Sequence, residues 1–564
     1  MAKISKLLLC FTIQYFFFIA CSASPIFKSI SSDESALLAI KSHITNDPFS
    51  ILATNWTRGT SVCNWIGITC NQKHQRVAAL DLSGGRFQGT IAKEVGNLSF
   101  LVSLDISRNN FYGFIPDEIG HLKRLRYLYM QLNVLSGQIP KSLGYLTRME
   151  ELVLHNNSLS GPIPWSIFNI TSFRSVDLMY NFLNGTLPED LCGNLPKLEY
   201  FNVSYNHIGG KIPATLSQCS EIKFIVLESN HFTGSIPRNL GNLSKLEWLV
   251  LGENNLTGVL PPTLFNISSM TALAAENNQL SGSLPWDMCK TAMNLEYVIL
   301  FQNFLTGPIP SSMSYCRSLN KFSLYNNSLQ GRIPVGIWNM SSLQHLYLWS
   351  NNLTGQLDIS SGNSSVLTEI VLGNNEFYGS LPDDMCFSHP NLEWLEFQIN
   401  QLSGQIPSSL SHCSALYLIY FGANNFSGAI PPEIGNLSTL HYLHLSENNL
   451  TGEVPPEIIN IPTLRFLYLS KNSLTGELPL ASSNLSALKA LEVMVNGFSG
   501  SLPQDLCFRY PNLELLNVGN NQFQGPIPAS ISHCSAMDTI DLSDNKFTGK
   551  NTFFFPQIFL SVMI

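Results

Sequence analysis

Apolar and polar positions follow a repeating unit along this chain, from Leu80 almost to the C-terminus. The stretch Leu443–Pro455, LHLSENNLTGEVP, shows the unit clearly as LxLxxNxLxGxIP. The LxL part predicts a short β-strand whose leucines point to one side and whose other residues point to the opposite side. The asparagine recurs every 24 or 25 residues, since Asn109 to Asn133 is 24 positions and Asn181 to Asn206 is 25. The chain therefore holds about 20 units of this period.

Each position of the unit has a physical reason. Asn448 ends the strand, and its buried amide can satisfy the backbone groups of the turn in coil after coil. Leu450 returns to the core, and Gly452 permits a tight backbone path. Pro455 favours an extended path over a helix. Because one unit cannot bury its own apolar side, the units must stack on one another.

A period of this length with this Leu/Asn pattern is typical of leucine-rich repeats. The LxGxIP extension resembles the plant-specific class, found in receptor kinases, receptor-like proteins and polygalacturonase inhibitors. The resemblance covers roughly residues 32–549. It implies an α/β solenoid, namely a right-handed leucine-rich-repeat superhelix with a parallel concave β-sheet and a helical, disulfide-bonded N-terminal cap. We assign the repeats to residues 73–549 and the cap to residues 24–72.

Composition narrows the possible functions. Charged residues are 12% of the chain, about half the usual share, and the formal net charge is −8. Without a basic stripe to neutralise phosphates, the chain is not expected to bind nucleic acid.

The N-terminus predicts export. Lys3 and Lys6 precede an apolar run that ends at Ala20, and cleavage after Ala23 would remove residues 1–23 as a signal peptide. Dense N-x-S/T sequons agree with this interpretation. The predicted glycosylation sites are Asn55, Asn97, Asn169, Asn242, Asn255, Asn352, Asn425 and Asn449.

The segment before the repeats predicts a lid for the first coil, which has no neighbour on one side. Ala36, Leu37 and Ile40 lie at helical spacing, with Ser32 or Asp33 as the predicted N-cap. Asp47-Pro48 then stops the helix. The segment resembles the N-terminal cap of plant receptor ectodomains, and that resemblance implies a disulfide between its two cysteines, Cys63 and Cys70.

Eight further cysteines fall into four pairs, each 27 residues apart (219 − 192 = 27, for example): Cys192/Cys219, Cys289/Cys316, Cys386/Cys413 and Cys507/Cys534. One hypothesis is that each pair is a disulfide joining adjacent coils on the outer face. The alternative is that the second member of each pair is a core thiol in place of a leucine, because free cysteine packs as a small hydrophobe.

Residues 550–564 depart from the repeat. After Gly549 the unit requires an apolar residue and proline, but the chain reads KNTFFFPQIFLSVMI. The twelve residues from Phe553 to Ile564 are too few to span a bilayer. We interpret this apolar tail as foreign sequence from a truncated or alternatively spliced product; the alternative is a short lid on the last coil.

The concave sheet should present the residues that flank each LxL, and aromatic residues are concentrated at those positions between Tyr297 and Tyr420. Because neighbouring strands lie roughly 4.8 Å apart, these side chains can line a continuous track. The alternative is that they fill strand positions through β-propensity and cross-strand packing. The predicted ligand-binding residues are Tyr297, Phe301, Tyr325, Tyr347, Trp349, Trp394 and Tyr420.

Acidic residues share that face, and together with the aromatics they favour a peptide carrying Lys or Arg. They are Glu228, Glu253, Glu276, Glu369, Glu396, Glu447 and Glu492. His155, His345 and His444 also lie there, but none has a Ser, Cys or carboxylate at a spacing that indicates a triad or metal site. We interpret these histidines as surface polar residues and predict no catalytic, metal or cofactor site.

The cap, the LxGxIP unit and the repeat number resemble the elicitor-sensing subfamily of plant leucine-rich-repeat receptor kinases. That resemblance implies a secreted or plasma-membrane ectodomain that captures a peptide or microbial elicitor and pairs with a leucine-rich-repeat co-receptor kinase. The kinase and any membrane segment would lie outside these residues. The alternative is a secreted inhibitor or decoy that binds a microbial cell-wall-degrading enzyme, although polygalacturonase inhibitors have about half as many coils.

Overall fold

The structure, a computed structural model, describes residues 30–482, 485–549 and 561–563. The predicted signal peptide and most of the predicted tail lie outside the described residues. The chain divides into two compact units, Met1–Gly209 and Gly210–Ile564. Within the described residues, no helix is both long enough and apolar enough to cross a membrane.

The first unit begins with the cap. The helix Ile30–His43 buries Ala36, Leu37 and Ile40. Asp47 does more than stop this helix, because its carboxylate accepts hydrogen bonds from three backbone N–H groups of the next helix at 2.8–3.1 Å. The remaining cap elements are the strand Ile44–Asn46, the helix Ile51–Asn55, the 3-10 helix Val62–Asn64 and the strand Ile68–Cys70.

The prediction that Ser32 or Asp33 caps the first helix is wrong, because the helix already includes both residues. The Asp33 carboxylate instead accepts two hydrogen bonds from the Arg76 guanidinium, at 2.6 and 2.7 Å. It also accepts one from the N–H of Val77 at 3.1 Å. Both side chains of this ion pair are almost fully buried, so each charge depends on the other. The pair ties the cap to the first repeat strand.

Six parallel strands form the main sheet of the first unit, each placing its middle or fourth residue in the core. They are Val77–Asp81, Ser103–Asp105, Tyr127–Tyr129, Glu151–Val153, Ser175–Asp177 and Tyr200–Asn202. A second row of strands follows the asparagines: Gln88–Thr90, Asn110–Gly113, Val134–Gln138, Ser158–Pro162 and Phe182–Asn184. Four 3-10 helices complete the coils: Lys93–Asn97, Asp117–His121, Lys141–Tyr145 and Trp165–Asn169. The strand Gly209–Lys211 contains the boundary between the units.

The second unit repeats this arrangement with fourteen main strands, also parallel and in register from coil to coil. They are Phe224–Val226, Trp248–Val250, Ala272–Ala274, Tyr297–Ile299, Lys321–Ser323, His345–Tyr347, Glu369–Val371, Trp394–Glu396, Leu418–Tyr420, Tyr442–His444, Phe466–Tyr468, Ala490–Glu492, Leu515–Asn517 and Thr539–Asp541. The described residues thus hold six and fourteen main strands, twenty together. The solenoid of stacked coils predicted from the period is confirmed.

The remaining elements of the second unit lie on the other sides of each coil. The second-row strands are His231–Gly234, Asn255–Val259, Gln279–Ser283, Phe304–Gly307, Ser328–Gly331, Asn352–Gly355, Glu376–Gly379, Gln401–Gly404, Asn425–Gly428, Asn449–Gly452, Ser473–Glu477, Gly497–Ser499, Gln524–Pro526 and Lys546–Thr548. The 3-10 helices are Ala214–Gln218, Arg238–Asn242, Pro262–Asn266, Ser311–Tyr315, Val335–Asn339, Ile359–Ser361, Ser408–His412, Pro432–Asn436, Leu480–Ser482 and Ala529–His533. The short α-helices are Met385–Ser388, Pro456–Ile459 and Leu506–Arg509. Within the tail, Ser561–Met563 pairs in parallel with Thr539–Asp541.

The asparagines form a buried hydrogen-bonded ladder. The amide of Asn303, for example, donates to the carbonyls of Ala275, Leu300 and Phe301 at 2.9–3.2 Å. Its oxygen accepts the N–H of Leu280 at 2.9 Å. One side chain therefore satisfies backbone groups on its own coil and on the preceding one. This is why the unit needs an amide, which both donates and accepts, at this position.

The residue before each ladder asparagine adopts a left-handed backbone conformation. Its φ is 52° at Ile399 and 54° at Val495, where a β-branched side chain makes this conformation costly. After glycine, asparagine is among the residues that tolerate the left-handed conformation best. Several coils have asparagine at this position: Asn156, Asn277, Asn326, Asn374 and Asn520.

Disulfides join the described cysteines, and the side chains of all but Cys63 and Cys70 are buried in the core. Disulfides link Cys63 to Cys70, Cys289 to Cys316, Cys386 to Cys413 and Cys507 to Cys534, with Cα atoms 5.0–5.4 Å apart. Cys192 and Cys219 are also disulfide-bonded. The second cysteine of each long-range pair ends a 3-10 helix, where Leu243 stands in an ordinary coil, and its side chain is buried. The free-thiol alternative is therefore wrong for Cys316, Cys413 and Cys534, although their sulfurs do fill the leucine position, as that alternative held.

Candidate functional site

The open face of the main sheet in the second unit carries the predicted site. In each coil the middle residue of the main strand is buried, as Val298 is, while the first and third residues face outward. The residue two places after the strand, Phe301 in that coil, also lies on this face. We call these three outward positions the first, second and third columns. Parallel register places equivalent residues of successive coils side by side in each column.

A stack of three rings occupies the third column. The rings of Phe301 and Tyr325 have centroids 4.2 Å apart and planes within 8° of parallel. Tyr325 then stacks on Trp349 with centroids 4.8 Å apart and planes 13° from parallel. All three side chains are half-buried. Burial and the nearby charge of Glu276 raise the pKa of Tyr325, so its hydroxyl stays protonated at neutral pH. The stack is a largely apolar surface with two hydrogen-bonding groups, the Tyr325 hydroxyl and the Trp349 indole N–H.

Tyr347 lies in the second column of the same coil as Trp349. Its hydroxyl donates a hydrogen bond to the Glu369 carboxylate, and burial together with this bond raises its pKa. The ammonium of Lys321 lies 5.1 Å from the centre of the Tyr347 ring, within the range of a cation–π interaction. The coils from Lys321 to Glu369 therefore place one cation and one anion around one tyrosine.

The structure brings together four of the seven predicted ligand-binding residues. Phe301, Tyr325 and Trp349 touch one another, and Tyr347 lies in the same coil as Trp349. Tyr297 and Trp394 are exposed in the first column, 40% and 37% respectively, and make no ring contact among the described residues. Tyr420 belongs to a separate row of rings in the second column, where it contacts His444.

This row of rings lies in the second column. Tyr420, His444 and Tyr468 stand in register on successive strands, with neighbouring ring centroids 4.2 and 5.2 Å apart. Glu396 and Glu492 occupy the positions at its two ends. Burial lowers the pKa of His444 to about 4, so the imidazole is neutral near pH 7. The interpretation of His444 as a surface polar residue is wrong, because its ring is half-buried between two tyrosines.

Glu276 lies next to the first stack, in the third column one coil before Phe301. Its carboxylate occupies the space above Gly252, where an added Cβ would stand 2.6 Å from Cδ. One carboxylate oxygen, Oε2, is buried and has no hydrogen-bond partner. Burial, followed by the charges of Glu228 and Glu253, raises the pKa of Glu276 to about 7. The sequence showed an acidic face, but it did not show that this carboxylate is desolvated.

The first unit contains a groove that sequence analysis missed. Its volume is about 560 Å³. Its lining residues surround the ladder asparagines, whereas the predicted ligand-binding residues flank the LxL leucines. Tyr180 and Tyr205 stack in this groove with centroids 4.2 Å apart, and Phe182 is 54% exposed. The apolar lining residues are Leu132, Val134, Tyr180, Phe182 and Tyr205.

The predicted glycosylation sites lie on other surfaces. Seven of the eight asparagines are exposed, at the ends of 3-10 helices or the starts of second-row strands. The exception is Asn55, which is half-buried and accepts the N–H of Ile66 at 2.6 Å. Among the residues that the structure describes, no cluster of His, Cys, Asp and Glu could hold a metal ion.

Comparison with known families matches both parts of the chain. The leucine-rich repeat N-terminal domain family matches residues 30–71. The leucine-rich repeat family matches seven segments: 100–122, 148–170, 197–219, 245–267, 439–461, 463–485 and 512–534.

Curated relatives include receptor kinases of Arabidopsis thaliana. The LRR receptor-like serine/threonine-protein kinase EFR is 38% identical over 73 residues, which are 13% of this chain and 7% of EFR. Protein MALE DISCOVERER 2 is 38% identical over 91 residues, 16% of this chain and 13% of the relative. The chain thus matches only a small part of the length of these proteins.

Solved structures match over far more of the chain. The plant peptide hormone receptor RGFR1, in complex with RGF2, superposes with a TM-score of 0.78 and 32% identity over 86% of this chain and 84% of its own. The ectodomain of the Arabidopsis receptor kinase HAESA gives a TM-score of 0.72 and 29% identity over 92% and 94% of the two chains. With its cap, its repeats and this extent of identity, the chain belongs to the plant leucine-rich-repeat receptors, and its resemblance is to their ectodomains.

Proposed function

We propose that this chain is the ligand-recognition region of an extracellular leucine-rich-repeat receptor of the LxGxIP class. It binds a peptide or a microbial elicitor on the open face of the main sheet, between Tyr297 and Tyr420. The response is transmitted by a kinase domain outside these 564 residues. The disulfides within the coils agree with an extracellular location, because such bonds persist in oxidising compartments.

The three-ring stack of Phe301, Tyr325 and Trp349 carries this proposal. Half-buried aromatic side chains on a sheet are effective anchors for binding, because they offer a large contact area and lose little conformational entropy. The Tyr325 and Tyr347 hydroxyls and the nearby carboxylates add polar contacts that can orient a ligand.

The solved relatives support a peptide ligand and a co-receptor. RGFR1 is bound to RGF2, and HAESA is bound to the peptide hormone IDA together with the co-receptor SERK1. By analogy, this chain pairs with a co-receptor kinase that also carries leucine-rich repeats. The inhibitor or decoy alternative is not favoured, because the structures that superpose with TM-scores of 0.72 to 0.78 are those of plant receptors.

Selection of peptides by the purified, secreted chain tests the proposal. A library of random 12-residue peptides is panned against the wild-type chain and against Trp349→Ala and Tyr325→Ala variants. We expect peptides that bind the wild type and lose about tenfold or more in affinity for either variant. Trp165→Ala serves as the control, because Trp165 is 62% exposed in the first unit. Peptides that bind all four proteins equally would contradict this location of the site.

A further inference from the structure

We propose that the open face holds two copies of one subsite, each of which binds a cationic group of a peptide. Each copy consists of one glutamate and the three rings that follow it in the same column on the next three coils. This inference rests on the proposed function and specifies the chemistry of the ligand. The first copy is Glu276 followed by Phe301, Tyr325 and Trp349. The second is Glu396 followed by Tyr420, His444 and Tyr468.

In the first copy, the chain itself provides the space for the carboxylate. Gly252 stands in the third column one coil before Glu276, and any side chain there would overlap the carboxylate. The backbone at Gly252 does not lie in the left-handed region, so glycine is not required by conformation. The close approach of the carboxylate is what excludes a side chain at this position.

In the second copy, the carboxylate of Glu396 is also desolvated. Burial raises its pKa, and Oε1 accepts a hydrogen bond from the Gln398 amide at 3.0 Å. The following rings differ from the first copy, because Tyr420, His444 and Tyr468 are tilted at 50° and 42° to one another, not stacked. The order of a desolvated glutamate and then three rings is nevertheless the same.

Neither glutamate has a cationic partner among the described residues, whereas other carboxylates of this unit do. Glu447 pairs with Lys471 at 2.7 Å, and Glu514 pairs with Lys489 at 2.6 Å. A partly buried carboxylate without a counter-charge is costly, and the buried Oε2 of Glu276 lacks even a hydrogen bond. A Lys or Arg side chain or an amino terminus would supply both the charge and the donor. The adjacent rings would then contact the apolar part of that group or stack on a guanidinium.

The register of the sheet sets the spacing of the two cations. Five strand pairings separate the coil of Glu276 from that of Glu396. At roughly 4.8 Å per pairing, the carboxylates are roughly 24 Å apart along the sheet. An extended peptide rises about 3.4 Å per residue and covers this distance in about seven residues. The ligand class is therefore a peptide with two basic groups about seven residues apart.

Panning of the same 12-residue library tests this inference with three further variants. Against the wild type, we expect enrichment of Lys or Arg at two positions six to eight residues apart. Glu276→Gln, which keeps the shape and removes the charge, should abolish the preference at one position, and Glu396→Gln at the other. Glu447→Gln is the control, because Glu447 lies outside the three columns and already has Lys471 as its partner.

Affinities of one selected peptide give the quantitative test. Each Gln substitution should weaken binding about tenfold or more, and the double variant should show the product of the two effects, since sites this far apart act independently. Wild-type binders that lose affinity for Trp349→Ala but show no basic preference would overturn this inference and leave the proposed function standing. If the wild type enriches no peptide at all, both proposals fail.

Discussion

His444 packs its imidazole over Gly422, a residue of the preceding coil in which a side chain would overlap the ring. The imidazole is consequently desolvated, and its Nδ1 is buried without a hydrogen-bond partner. Desolvation penalises the imidazolium form, which is why the pKa falls to about 4.

This packing predicts how stability depends on pH. In the unfolded chain a histidine takes up a proton near pH 6.5, whereas folded His444 does so only near pH 4. Acidification from pH 6.5 to 4 therefore favours the unfolded state. We expect His444→Gln to flatten the fall of the unfolding free energy across this range in urea titrations. The exposed His121, replaced in the same way, controls for loss of a histidine as such. Equal flattening in both variants would contradict the prediction.

The asparagine ladder predicts a large cost for one substitution. Asn303→Leu keeps approximately the size of the side chain but leaves the N–H of Leu280 and three carbonyls without their partner. We expect a loss of about 3 kcal/mol in the free energy of unfolding. Hydrogen exchange should also accelerate at the Leu280 amide. Gln330→Leu, on an exposed second-row position, should change stability by less than about 0.5 kcal/mol. Similar losses in the two variants would show that the ladder bonds are not responsible.

The left-handed position before each ladder asparagine offers a stabilising substitution. Val495 adopts φ 54° and is 40% exposed, so Val495→Asn relieves backbone strain without removing a core contact. We expect a gain of up to about 1 kcal/mol, measured by thermal or urea unfolding. Val335→Asn is the matched control, because Val335 is 57% exposed and lies outside the left-handed region. A gain in the control, or none at Val495, would contradict the strain argument.

The disulfides predict a simple chemical result. Alkylation of the secreted chain under denaturing, non-reducing conditions should label none of the ten cysteines that follow residue 23. After reduction, the intact mass should increase by ten labels. Labelling of eight thiols before reduction would mean that the four long-range pairs are unbridged. The cap disulfide between Cys63 and Cys70 would then be the only one formed.

The solenoid could be predicted from the sequence because one short unit recurs along the chain, and each of its leucines and asparagines has the same structural role in every coil. Asn303 illustrates this, since an amide at a fixed spacing from leucines has few other roles. The start of the first helix was not predictable in the same way. Asp33 looked like a cap from its neighbours, but its partner Arg76 lies 43 residues away.

The site was predicted only in part, because contacts between side chains of different coils also decide which residues form it. Strand periodicity shows which residues face outward, and so it identified Phe301, Tyr325 and Trp349. It gave Tyr297 and Trp394 equal weight, because alternation along one strand does not show which rings of different coils touch. The burial of Glu276 and His444 depends on Gly252 and Gly422 in the preceding coils. Glycine in the third column, 24 and 22 residues earlier, was the available signal, and Gly373 and Gly519 occupy the same column.

The in-register pairing of the main strands has a consequence for how such receptors can diverge. Gain or loss of a whole coil preserves the ladder and the core, and the 25-residue unit from Asn278 to Asn303 shows that one extra residue within a coil leaves the ladder bonds in place. Distances between side chains on different coils of the open face therefore change in increments of roughly 4.8 Å, close to one and a half residues of an extended peptide. Ligands of related receptors should accordingly differ in the separation of their recognised residues by whole multiples of this increment.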